Sequence, residues 1–152
     1  MNEPLDETDE DLRHADTPPV AKAAAALAAM SGLFVLLSGV QVLDLRFRME
    51  WLELVPYLMI VAGVGQIVVG AMLGRARAWA VYTAAGGGAL ISLGMVGWFL
   101  FFLLGVGLSC IVFVAPVVSL LATVLAVVSI PGVRRTSAAR TRLAERGLGL
   151  GL

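Results

Sequence analysis

Gln66 is an amide near the middle of a long apolar stretch, and its neighbours at helical spacing are glycines: Gly63, Gly70 and Gly74. Steps of three, four and four place these residues on one helix face. The chemistry this offers is hydrogen bonding. An amide donates and accepts across a helix pair that glycines allow to approach, a bond worth about 0.6–2 kcal/mol in lipid. The first expectation for this face is packing inside the protein, against the first or last apolar segment. An oligomer interface is the second and the polar wall of a solute path the third. A second pattern, Ala115, Ser119, Ala122, Ala126 and Ser129, steps by four, three, four and three, the heptad spacing of a left-handed packing seam. Pro116 beside it removes one helix hydrogen bond and favours a static kink. Ala80, Ala84, Gly88 and Ser92 give a third small-residue face.

Groups that do harder chemistry lie elsewhere. Proton relays and ion-coupled transport place ionisable side chains at membrane depth, yet residues 78–133 contain no Asp, Glu, Lys, Arg or His. Neither do 23–43 or 54–74. The single histidine, His14, sits in the acidic N-terminal segment, so neither a His-Glu-x-x-His metal pair nor a serine with a basic partner forms within the apolar segments. Asp6–Asp11 has neither the spacing nor the glycine of a calcium loop. Cys110 is the only cysteine, which rules out an intramolecular disulfide, and it reads as a small apolar residue. The expectation is a protein without catalysis, cofactor or metal.

These residues are carried by segments that only a bilayer suits. Only 14% of the 152 residues are charged, against roughly 25% in ordinary globular domains. A crossing takes about 20 helical residues. The charge-free runs therefore predict an all-α integral membrane protein, a four-transmembrane-helix antiparallel bundle with spans at about 22–43, 54–74, 78–104 and 108–130. Residues 20–133 form the transmembrane domain on this reading, between a disordered acidic tail, 1–19, and a basic tail, 134–152. Pro56 fits the first turn of the second span. Residues 44–53 alternate charged and apolar side chains and are expected along the membrane surface. The apolar segment Phe99–Leu108 is the expected hairpin between the last two spans, turning at Gly105 and Gly107. Trp79 and Tyr82 are expected in one interfacial belt, Trp51 and Tyr57 in the other.

Basic residues set orientation. Arg13, Lys22, Arg75, Arg77, Arg134, Arg135, Arg140, Arg142 and Arg146 fall on one side, and Arg46 and Arg48 on the other. The prediction is N-in/C-in: a multi-pass protein of the cell (inner) membrane with both termini cytoplasmic. Arg134, Arg135, Arg140 and Arg142 are candidates for contact with anionic lipid, at about 1 kcal/mol per charge. The expected partners are the bilayer and, through a glycine face, a second copy or another membrane protein. Nucleic acid is not expected, since no aromatic residues interleave with the arginines. Three functions fit. The leading one is an accessory or assembly subunit acting by helix packing. The others are a small-solute transporter or channel-like protein lined by Gln41, Gln66, Ser92 and Thr123, and a membrane anchor that recruits partners through charged tails.

Overall fold

The computed structural model describes residues 3–43, 53–103 and 110–147, with the side chains of 9–43, 53–97, 100, 114 and 116–147. Five helices follow in chain order: α1 (Glu3–His14), α2 (Pro19–Val42), α3 (Val55–Gly74), α4 (Ala78–Leu103) and α5 (Cys110–Glu145). No strand occurs among the described residues. α2 to α5 each contain a stretch long and apolar enough to cross a membrane. Helix is the economical form for such sequences, because every backbone group is satisfied within the segment. Two prolines act as starters: Pro19 opens α2, and Pro56 lies in the first turn of α3, where a missing N–H costs nothing.

The four long helices close into a ring. α2 packs on α3 and α5, and α4 packs on α3 and α5. Both chain ends and the α3–α4 turn share one end of the bundle, here the terminal end, where Arg140 of α5 bonds the carbonyls of Ala15 and Arg75. α3 stops there in a left-handed cap. Ala76 has φ 54°, its N–H donates to the Leu73 carbonyl at 2.9 Å, and the Arg77 N–H donates to that of Met72 at 3.3 Å. This is the paired capping pattern that glycine usually serves.

Among the described residues the buried core forms two clusters along the bundle axis. In the terminal half, Ala21, Ala24, Leu73, Ala80, Val81 and Val133 join one cluster drawn from all four long helices. In the far half, Val35 and Met95 form the second, with Phe34, Met59 and Ile91 partly covered against it.

Both tails depart from the expectation. Residues 3–14 form a helix, and α1 docks on α5. Its Asp11 is 5% exposed, with one carboxylate oxygen 2.9 Å from the Arg142 guanidinium and the other 3.6 Å from Arg146. Two guanidiniums thus compensate the buried carboxyl group, so an acidic segment that looks disordered acquires a place to fold. The helix that carries the last expected span also runs past 130. α5 passes through Pro131 and runs on to Glu145. Val133, Thr136, Ala139 and Leu143 are buried on one face of this extension, and that three-to-four spacing is what keeps it helical against the proline's cost. The expected surface segment at 44–52 and the Gly105–Gly107 turn lie outside the described residues.

Candidate functional site

The glycine face of α3 meets α2. A Cβ built on Gly63 would stand 2.6 Å from the Gly32 carbonyl and 2.7 Å from the Leu36 nitrogen; one built on Gly32 would stand 2.6 Å from the Gly63 carbonyl. A Cβ on Gly70 would meet the Ala25 carbonyl at 2.9 Å, and one on Gly39 the Pro56 carbonyl at 3.0 Å. These obstacles are backbone atoms that cannot swing aside. The seam therefore requires glycine on both helices, at Gly32 and Gly39 as at Gly63 and Gly70. Gly74 is looser, with only the Ala25 methyl at 3.6 Å. Gly32 and Gly39 were not singled out in the sequence, although their seven-residue separation matches that of Gly63 and Gly70 and marks the partner seam.

Gln66 stands beside this seam but addresses α4. The Cβ positions of Gly87 and Gly88 lie 3.7 Å from its Oε1 and 3.6 Å from its Nε2. The side chain is buried, and Nε2 has no hydrogen-bond partner among the described residues. The expected interhelical bond from this amide donor is absent there: the neighbouring Gly88 carbonyl accepts from the hydroxyls of Ser92 and Ser119 instead. Next to it α4 and α5 share hydroxyls. Ser92 donates to the Gly88 carbonyl at 2.8 Å, its oxygen lies 3.0 Å from that of Ser119, and Ser119 reaches the same carbonyl at 3.3 Å. Thr123 donates to the Ser119 carbonyl at 2.9 Å and its oxygen is 2.5 Å from where a Gly88 Cβ would stand. Each hydroxyl is thus satisfied locally. Of the four residues suggested as a solute lining, Gln66, Ser92 and Thr123 gather around Gly88, whereas Gln41 is exposed at the other end of α2.

The α5 seam is partly described: Ser119, Ala122, Ala126 and Ser129 are buried, and the Ala115 side chain lies outside the described set. The four arginines expected at lipid divide. Arg134 and Arg135 are exposed, and Arg142 holds Asp11. Arg140 is tied to protein: Nε donates to the Ala15 carbonyl at 2.9 Å, one terminal nitrogen to the Arg75 carbonyl at 2.8 Å, and the other to the Thr17 hydroxyl at 3.4 Å. It therefore clamps the α1–α2 linker and the C-terminus of α3 onto α5, where a cation complements the helix dipole.

Two concavities flank these elements. At the terminal end, a cleft of about 950 Å3 lies between the α3–α4 turn and α5 and includes Arg75, Arg77, Trp79 and Arg140. In the far half, an apolar cleft of about 310 Å3 opens between α3 and α4, bounded by Leu58, Met59, Ala62, Leu90, Gly94 and Met95. Beside it α4 presents a face that no described residue covers. Thr83, Gly86, Leu90, Gly94 and Gly97 step along one side, all exposed, and a Cβ on Gly86, Gly94 or Gly97 would meet nothing within 4 Å.

No protein-family model matches the chain, and neither a characterised protein nor a solved structure does.

Proposed function

We propose that the protein is a non-catalytic multi-pass membrane subunit that works by packing a partner's transmembrane helix against α4. The observation that carries this reading is the open glycine face of Gly86, Gly94 and Gly97 next to an apolar cleft. A monomer that used its glycines only for internal packing would have no need of small residues there, since lipid is met equally well by larger side chains. Backbone approach is what such residues offer to a second helix. Leu90 and Leu93, 72% and 71% exposed, supply bulk for interdigitation on the same helix. In the bilayer the terminal end faces the cytoplasm on this reading, following the basic residues that gather there.

The test is purification of tagged protein from its own membranes in mild detergent. Wild type should carry a stoichiometric membrane protein, and Gly94→Leu should lose it while keeping the same thermal stability. Retention of the same partner by Gly94→Leu would contradict the assignment. Orientation is checked by labelling single cysteines in a Cys110→Ala background: Leu54→Cys should react from outside and Ser137→Cys should not.

A further inference from the structure

We propose that the terminal-end cleft binds the phosphate headgroup of an anionic phospholipid, a site that rests on the membrane reading above but not on the partner. The cleft brings Arg140 of α5 to Arg75 and Arg77 of the α3–α4 turn, with the hydroxyl-bearing Ser137 and Thr141 and the indole of Trp79; none of its bounding residues is Asp or Glu. Arg75 and Arg77 extend from the α3–α4 turn, exposed. Neither has an acidic partner among the described residues, whereas the neighbouring Arg142 is spent on Asp11. Arg140 is the fixed member. Three of its five N–H groups hold the Ala15 and Arg75 carbonyls and the Thr17 hydroxyl, leaving one on each terminal nitrogen for a ligand. A guanidinium held in place on protein carbonyls loses less entropy on binding an anion than a free surface arginine does.

Two observations point to a lipid rather than a dissolved anion. Trp79, the second residue of α4, is half exposed, and charge-free helix follows it; an indole at such a boundary belongs at headgroup depth. The headgroup layer is about 7 Å thick on each face of the bilayer, so a cleft at the ends of α3 and α4 opens into it. The volume of about 950 Å3 also exceeds what a bare phosphate fills and suits a headgroup with its glycerol. The α4 N-terminus adds the positive end of its dipole.

The experiment uses the full chain reconstituted in nanodiscs of phosphatidylcholine with a minor fraction of phosphatidylglycerol, followed by detergent release and counting of retained lipid by native mass spectrometry. Wild type should retain phosphatidylglycerol over phosphatidylcholine. Arg75→Gln/Arg77→Gln removes two charges that bear no fold contacts and should weaken retention about 30-fold, from about 1 kcal/mol per basic residue. Arg134→Gln/Arg135→Gln, which lies outside the cleft, should change it little. Equal losses in the two double variants would overturn the site in favour of diffuse surface charge. Displacement of the lipid by millimolar inorganic phosphate would overturn the lipid assignment in favour of a free phosphate anion. Failure of the wild type to enter neutral phosphatidylcholine discs would contradict the membrane reading itself, whereas normal entry with no headgroup preference would contradict this site alone.

Discussion

α3 and α4 are both glycine-rich, apolar on all sides and adjacent in the ring, yet their glycines end in opposite situations. On α3, Gly63 and Gly70 are pressed against α2 so closely that no side chain fits; on α4, Gly86, Gly94 and Gly97 face open space. The difference lies in the neighbour. α2 carries Gly32 and Gly39 in register with Gly63 and the Pro56 carbonyl, so the two backbones meet. α4 has its own internal contact elsewhere, through Gly88, Ser92 and the α5 hydroxyls, and its remaining glycines are left without an opposing helix. A glycine is therefore committed to a seam where a neighbouring helix brings its backbone to the same height. On the function proposed above, the uncommitted glycines of α4 are the surface that receives another chain.

The sharpest way to break this contrast is a matched pair of bulky substitutions. Gly63→Leu must displace α2 backbone and is expected to cost more than about 3 kcal/mol, the upper end of overpacking effects. Gly94→Leu should leave stability within about 0.5 kcal/mol, as exposed substitutions do. Denaturation in mixed micelles reads both, and similar losses in the two variants would erase the distinction between seam and open face.

Gln66 sharpens the contrast from inside. Its buried Nε2 has no partner among the described residues, and an unsatisfied buried donor costs about 1–3 kcal/mol. Gln66→Leu, of similar volume, is expected to raise stability by about 1 kcal/mol in the same assay. A fall of that size would show that the amide bonds across to α4, making the α3–α4 contact a polar seam after all.

The smallest effect is expected on the open face. Gly86→Ala adds a methyl to empty space and relieves the backbone entropy of a helical glycine, for a gain of about 0.5–1 kcal/mol. Gly32→Ala, by contrast, drives its methyl to 2.6 Å from a carbonyl oxygen and should lose stability. Differential scanning of the two proteins in detergent compares them directly.

Much of this was open to inspection in the sequence. Charge-free runs of the right length are decided by bilayer thickness alone, and the four long helices follow from them. The Gly63–Gly70 face was legible as a face of close approach, because its spacing is local to one helix. Which helix it meets was not legible, since an all-round apolar helix carries no polar side to say which way is in. Gly32 and Gly39 show this: their repeat matters only once α2 is known to lie beside α3. The terminal end was hidden for a different reason. Asp11 resembles every solvated acid around it until Arg142, at the far end of the chain, is brought to 2.9 Å. Arg140 likewise reads as a topology signal until the α1–α2 linker and the end of α3 supply its three acceptors. The α5 extension did leave a trace in Val133, Thr136, Ala139 and Leu143, whose spacing outlasts the apolar run. The far-half cleft is bounded by residues of α2, α3 and α4 together, a juxtaposition that no local pattern encodes.

The central claim, that the open face of α4 seats a partner helix, is tested most directly by photo-cross-linking in native membranes. A benzophenone amino acid is placed at Leu90 or Leu93 on the glycine side of α4 and, for comparison, at Leu120 on α5, all exposed to similar degrees. The account predicts one discrete protein adduct from Leu90 and Leu93, absent when Gly94→Leu is combined with the probe, and only lipid adducts from Leu120. Lipid adducts alone at Leu90 and Leu93, or the same protein adduct from Leu120, would contradict it.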